Sequence, residues 1–188
     1  MSAKAIKSAA LAAAASVALA WTAAARADDL KDHFDKGVAL YHKHKIDAAL
    51  AEFTAAEKIA PNDAGVLFWI GFLYLQQQNY AAAEPPLEKV IKLRPTSAEG
   101  HLNLGNAYDG LKRYSDAAAQ FELVVKLQPG SPDPFYNLGS EYYKLGRGAE
   151  SVAAYSHAAA LAPNDPYVQL NLGSALMLQG KPADAAAA

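Results

Sequence analysis

Glycine recurs at Gly37, Gly71, Gly105, Gly139 and Gly173, each 34 residues after the one before. A strict period of this length makes each period one supersecondary unit that must stack on its copies. With the register started at Leu30, the repeats are 30–63, 64–97, 98–131 and 132–165, with a partial fifth at 166–188. No insertion or deletion is needed. Position seven reads Ile70, Leu104, Leu138 and Leu172, with Lys36 as the exception. Position eleven reads Leu40, Tyr74, Tyr108, Tyr142 and Leu176. Position twenty reads Ala49, Ala83, Ala117, Ser151 and Ala185, and position twenty-four reads Phe53, Leu87, Phe121 and Tyr155. Proline closes each full repeat at Pro61, Pro95, Pro129 and Pro163.

The spacings explain these choices. Positions 4, 7, 8 and 11 share one face of a first helix, and positions 20, 24 and 27 share one face of a second. Glycine lets the partner helix approach its backbone, and the alanine does the same from the other side. Proline biases the residue before it away from helical angles and ends the second helix. "PND" at 61–63 and 163–165 is a turn that restarts the next helix. One helix pair cannot bury its apolar face alone, whereas stacked pairs share a continuous core.

In these residues the chain resembles the tetratricopeptide repeat family, whose pattern runs aromatic, Leu-Gly, Tyr, Ala, aromatic, Ala, Pro. The resemblance covers 30–188. It implies an all-α solenoid, a right-handed superhelix of antiparallel helix pairs with a groove lined by the first helix of each pair. The composition agrees, being rich in alanine and poor in β-branched residues.

Three departures from the pattern carry expectations. Pro85 and Pro86 fall in the second helix of repeat two and predict a late start or a kink there. Gly148 replaces the tyrosine found at Tyr80 and Tyr114. That tyrosine is expected to wedge between the two helices of its repeat, so repeat four should be looser. The second helix of repeat five has little more than "ADAAAA", which leaves Leu172, Leu176, Met177 and Leu178 thinly covered.

Residues 1–27 read as a targeting segment. Lys4 and Lys7 are followed by an uncharged, alanine-rich run from Ser8 to Ala25, then by "ARA" and by Asp28 and Asp29. This is the layout of a secretory signal peptide cut after Ala27. Its loss removes Lys4, Lys7 and Arg26, so the 17 basic residues become 14 against 19 acidic ones, a net charge of −5. The expected location is the bacterial periplasm or the medium, with membrane contact only through the transient signal peptide.

By the resemblance, positions 2, 5, 6, 9, 12 and 13 line the groove. Phe68, Trp69 and Phe72, with Phe34 and Tyr41, would form an aromatic wall in repeats one and two. Asn103, Asn106, Asn137, Ser140, Asn171 and Ser174 would form a polar ladder in the later repeats, beside Tyr136 and Tyr143. An asparagine amide is both donor and acceptor, so a ladder of them can pair with the backbone of an extended peptide whatever its side chains. Aromatic neighbours would supply anchor pockets. Positions five and six carry no lysine or arginine, so the carboxylate clamp of chaperone-adaptor members of the family is not expected.

The sequence points away from catalysis. With no cysteine, thiolate metal sites, disulfides and a cysteine nucleophile are excluded. His42 and His44 lie two residues apart and so on different helix faces, and no carboxylate joins them at ligand spacing. No phosphate-binding loop is present, and the repeats occupy the whole mature chain. The near-neutral charge of −2 lacks the basic patch that nucleic-acid binding requires. The expected function is therefore a non-catalytic scaffold or adaptor that needs no cofactor and no metal and binds a protein or an extended peptide in its groove. Two other readings remain open. One is self-association through the thinly covered fifth repeat, giving a homo-oligomer. The other is a non-catalytic subunit or fragment of an envelope secretion or glycosyltransferase system.

Overall fold

The computed structural model describes residues 25–180, and every element among them is helical. Helix α1 occupies 25–42. It is followed by α2 (Ile46–Ile59), α3 (Ala64–Gln76), α4 (Tyr80–Leu93), α5 (Ala98–Gly110), α6 (Tyr114–Leu127), α7 (Pro132–Lys144), α8 (Gly148–Leu161) and α9 (Pro166–Leu178). The second helices begin at Ile46, Tyr80, Tyr114 and Gly148, and the first helices from repeat two onward begin at Ala64, Ala98, Pro132 and Pro166. Both series keep the 34-residue step of the sequence. Most of the proposed signal peptide lies outside the described residues, and 25–27 begin α1. Residues 181–188, the start of the second helix expected for repeat five, also lie outside them.

The chain divides into two compact units, one ending at Val66 and the other starting at Leu67. In the first unit, Ala49, Phe53 and Ala56 of α2 are fully buried. Gly37 lets the Phe53 ring reach the backbone of α1, where a β-carbon would come within 2.8 Å of it. Phe34 meets Phe53 edge to face at 5.5 Å. The second unit repeats the relation. Gly71 receives Leu87, Gly105 receives Phe121 and Gly139 receives Tyr155, each too close to admit a β-carbon without a shift. Position eight is thus glycine because position twenty-four fills its space. The core of this unit joins Ala83, Leu87, Leu104, Ala107, Tyr108, Ala117, Phe121, Leu138 and Tyr142.

The turns within repeats follow one geometry. The residue two before each second helix is left-handed: His44 (φ 56°), Gln78 (φ 56°), Lys112 (φ 61°) and Gly146 (φ 72°). In each turn the N–H of the next residue bonds back to position eleven, as in Lys45 to Leu40 at 3.0 Å and Arg147 to Tyr142 at 2.8 Å. This pairing satisfies carbonyls that the helix end would otherwise leave open. Asp63 and Asp165, which end the two "PND" turns, accept bonds from Gly65 and Val66 and from Tyr167 and Val168. They cap the next first helix as N-cap residues do.

Two local expectations meet a specific arrangement in the structure. Helix α4 does not start late: it begins at Tyr80, in phase with α2 and α6, and runs through Pro85 and Pro86. Ala83, Leu87 and Val90 are buried on its inner face, so packing holds the helix across two positions without a backbone donor. Tyr80, at position seventeen, reaches beyond its own repeat. The Tyr80 ring packs on Gly110, at the end of the next first helix. At Gly148 the equivalent space is closed by the backbone of Gln179, which a β-carbon on 148 would meet at 3.2 Å. At residue 148 the turn after α9 therefore lies against the helix where repeats two and three carry a tyrosine.

Candidate functional site

The first helices of the second unit lie side by side, and side chains at the expected groove positions connect them. Lys144 of α7 reaches Asp109 of α5 at 2.5 Å. The Asn171 Nδ2 of α9 donates to the Tyr136 hydroxyl of α7 at 3.0 Å. These bonds span neighbouring repeats, so positions 5, 6, 12 and 13 form one surface across α5, α7 and α9.

The expected ladder is not uniform along this surface. Asn103 and Asn137 are half-buried, one repeat apart, and among the described residues no group hydrogen-bonds their amides. Asn106 is exposed one turn further along α5. Asn171 differs, because its amide is occupied by Tyr136 and by the Tyr167 carbonyl at 2.7 Å. Ser174 donates to its own helix at the Leu170 carbonyl, 3.0 Å away. Ser140 sits beside the Tyr155 hydroxyl. The groups left facing outward are thus concentrated on α5 and α7.

Aromatic residues occupy other expected groove positions. On α3, Phe68 stacks on Phe72 at 6.3 Å and Trp69 meets Phe72 edge to face at 5.8 Å, all three half-buried. Tyr136 stands edge to face on Tyr155 at 5.6 Å. Tyr143 is 43% exposed. On α9, Tyr167, Leu170 and Met177 are each about two-thirds exposed.

Polar contacts that the repeat pattern did not announce tie the helices together. Tyr108 donates to Glu88 of the preceding repeat at 3.2 Å and carries Arg113 over its ring. Tyr142 repeats this with Glu122 at 2.7 Å and Arg147. Burial first, and then the Glu122 carboxylate, push the Tyr142 hydroxyl up to about 12. Burial likewise pushes Tyr155 up to about 12. His33 pairs with Glu52 at 2.6 Å, and His101 with Gln120 at 2.8 Å and with the Pro95 carbonyl at 2.9 Å.

Glu141 stands alone in its column, where Leu73, Ala107 and Ala175 are the other buried members. It is buried, with one oxygen on Lys144 at 2.7 Å and the other without a partner among the described residues. Burial raises its carboxyl above the ordinary range, against the pull of Lys144. Burial works against the charge on Lys144 too, but its bonds to Asp109 and Glu141 outweigh that and raise it.

His42 and His44 are exposed, and His44 is spent on the left-handed turn. Among the described residues, no group of three or more histidine, aspartate or glutamate side chains is placed to hold a metal ion. No described helix is long and apolar enough to cross a membrane.

Family models of the tetratricopeptide repeat match residues 70–132 and 139–180. The chain belongs to the tetratricopeptide repeat family. Solved structures of similar fold include a MamA protein, 23% identical, with a TM-score of 0.82 over 86% of this chain and 88% of that one. Another is MamA of Desulfovibrio magneticus RS-1, 22% identical, with a TM-score of 0.81 over 85% and 90%. A thermophilic tetratricopeptide repeat protein of Thermus thermophilus is 23% identical, with a TM-score of 0.61 over 84% and 87%. No curated protein matches the chain by sequence. At these identities the structures speak for the fold, an all-α tetratricopeptide solenoid, and the fold does not select a ligand.

Proposed function

We propose that this chain is a non-catalytic interaction scaffold that holds an extended segment of a partner protein across α5 and α7. One observation carries this reading: the amides of Asn103 and Asn137 are half-open, lie one repeat apart and have no protein partner among the described residues. A buried or half-buried amide without a partner costs free energy, so a surface that keeps two of them open in register suits a ligand supplying peptide groups. The test is to pan a random dodecapeptide display library on the full chain and on the Asn103→Ala/Asn137→Ala variant. Selected peptides should bind the variant at least about tenfold more weakly, the equivalent of one good hydrogen bond to each amide. Equal binding to both proteins would sink the proposal.

The export reading is part of this proposal. It places the scaffold beyond the inner membrane, and it is checked by sequencing the N-terminus of the mature protein, which should begin at Asp28. A chain still starting at Met1 would refute it.

The exposure of Leu170, Met177 and Leu178 on α9 supports a second reading, self-association through that helix. Light scattering should then show the average mass rising with concentration, and Leu170→Ser/Met177→Ser should abolish the rise. A mass that stays at one chain up to millimolar concentration speaks against it.

A further inference from the structure

Between the N-terminal ends of α7 and α9 lies a notch of about 250 Å³, lined by Pro132, Asp133, Tyr136, Asp165, Tyr167 and Val168. Sites for whole small molecules run from about 300 to 1,000 Å³, so this one is sized for a single long side chain. We propose that it receives a basic side chain of the bound segment, arginine foremost. The inference rests on the reading that a peptide crosses the first helices, and it names what that peptide must carry.

Three features favour a cation. The walls are aromatic, and a guanidinium over a tyrosine face is attracted by the ring's electron density. The Tyr136 ring is already fixed by its edge-to-face contact with Tyr155 and by the Asn171 amide at its hydroxyl, so little ordering is left to a ligand. The rim is acidic. Asp133 is exposed, and among the described residues no cation pairs with it. Asp165 adds its charge although one oxygen caps α9. No lysine or arginine lines the notch, and Lys144, the cation of α7, is engaged by Asp109 and Glu141.

The opposing effect is the pair of helix N-termini at the mouth, whose partial positive charge attracts anions. Asp133 in the first turn of α7 and Asp165 at the cap of α9 already answer both. The equivalent notch in the first unit supplies a contrast. It is lined by Leu30, Lys31, Phe34, Asp63, Gly65 and Val66. There a lysine stands in the place of Asp133 and a glycine in the place of Tyr167, so that notch has neither the second aromatic wall nor the free acid. Position in the repeat therefore does not make the cation site. The residues 133 and 167 do.

The test uses the full chain, isotope-labelled, titrated with acetyl-Ala-Ala-Arg-Ala-Ala-amide and with the same peptide carrying citrulline, which keeps the shape and loses the charge. The arginine peptide should shift the amides of Asp133, Tyr136, Tyr167 and Val168, and the citrulline peptide should bind at least about threefold more weakly. Asp133→Asn, at an exposed position, should weaken the arginine peptide by a similar factor and leave the citrulline peptide unchanged, and Tyr167→Ala, also exposed, should weaken the arginine peptide more than the citrulline peptide. Equal affinity for the two peptides overturns the inference. Shifts confined to Asn103 and Asn137 also overturn it while leaving the amide strip standing, and absence of shifts in both places overturns it and leaves the strip to the panning experiment.

Discussion

The Tyr80 ring rests on Gly110, where a β-carbon would fall inside the ring's own volume. Tyr80 opens α4 and Gly110 closes α5, so this contact joins one repeat to the next. In a helix alanine is better than glycine by about 0.5–1 kcal/mol. Here overpacking should win, and Gly110→Ala should lower stability by about 1–3 kcal/mol in urea unfolding. In a Tyr80→Ala background the space is vacant and the sign should reverse, with Gly110→Ala now stabilising. A Gly110→Ala protein more stable than the wild type would show that the ring simply swings aside.

The asparagines divide in the same way between packing and surface. Asn171 bonds the Tyr136 hydroxyl and the Tyr167 carbonyl, so Asn171→Ala should cost about 1 kcal/mol in thermal or urea unfolding. Asn103→Ala and Asn137→Ala remove amides that bond nothing among the described residues, and alanine is the better helix former. Each should leave stability unchanged or slightly raised. A loss of more than about 1 kcal/mol at Asn103 or Asn137 would mean that the amide is structural and the strip is not a free surface.

Alkaline titration reads the contact between repeats three and four. The Tyr142 hydroxyl is held up to about 12 by burial and by Glu122, and Tyr155 to about 12 by burial. A tyrosine in the unfolded chain titrates near 10. The fold therefore favours the neutral phenols, and this contribution is complete below pH 10 and lost as the pH rises through 12. Of the ten tyrosines, Tyr142 and Tyr155 should ionise latest in ultraviolet difference spectra, with Tyr108 also held up by burial and by Glu88, and unfolding should set in over that same window. Tyr142→Phe should remove one late step and reduce the pH dependence, whereas a single transition near pH 10 for all tyrosines would contradict the arrangement.

Legibility in the sequence followed the physics of repetition. Whatever every repeat needs was readable, because it recurs: the glycine of position eight, the large side chain of position twenty-four that fills it, and the helix starts. What only one or two repeats need was not. The pair His101 and Gln120 occupies positions four and twenty-three, where repeat one has His33 and Glu52, bonded in the same way. Repeats two and four have Leu67 with Pro86 and Phe135 with Ala154 at those positions, apolar with apolar. Reading the two columns together would have revealed the contact. The contact of Tyr80 with Gly110 was not readable because a single column cannot say whether its partner lies in the same repeat or the next. Among the candidate ligand residues, one column held both the free amides of Asn103 and Asn137 and the occupied amide of Asn171, because a tyrosine hydroxyl reaches only the last.

Glu141 breaks the apolar column of Leu73, Ala107 and Ala175, and this has a measurable consequence. Its carboxyl is raised chiefly by burial, which means that the fold favours the protonated form. For a carboxyl the sign runs opposite to an ordinary surface ion pair. The ionised side chain is a burden above the folded-state value, and the fold gains stability relative to the unfolded chain as the pH falls through it. Lys144 offsets part of the burden, but it is shared with Asp109, and one Glu141 oxygen has no partner among the described residues. Glu141→Gln keeps the shape, removes the buried charge and leaves Lys144 with Asp109. It should raise stability at pH 7 by on the order of 1 kcal/mol, since breaking even against a buried ion pair requires better geometry than this. The advantage should shrink toward pH 4, where the wild-type carboxyl is itself protonated. Urea unfolding of both proteins at pH 7 and pH 4 decides the point. A variant less stable than wild type at pH 7 would mean that the Lys144 bond outweighs the cost of burying the charge.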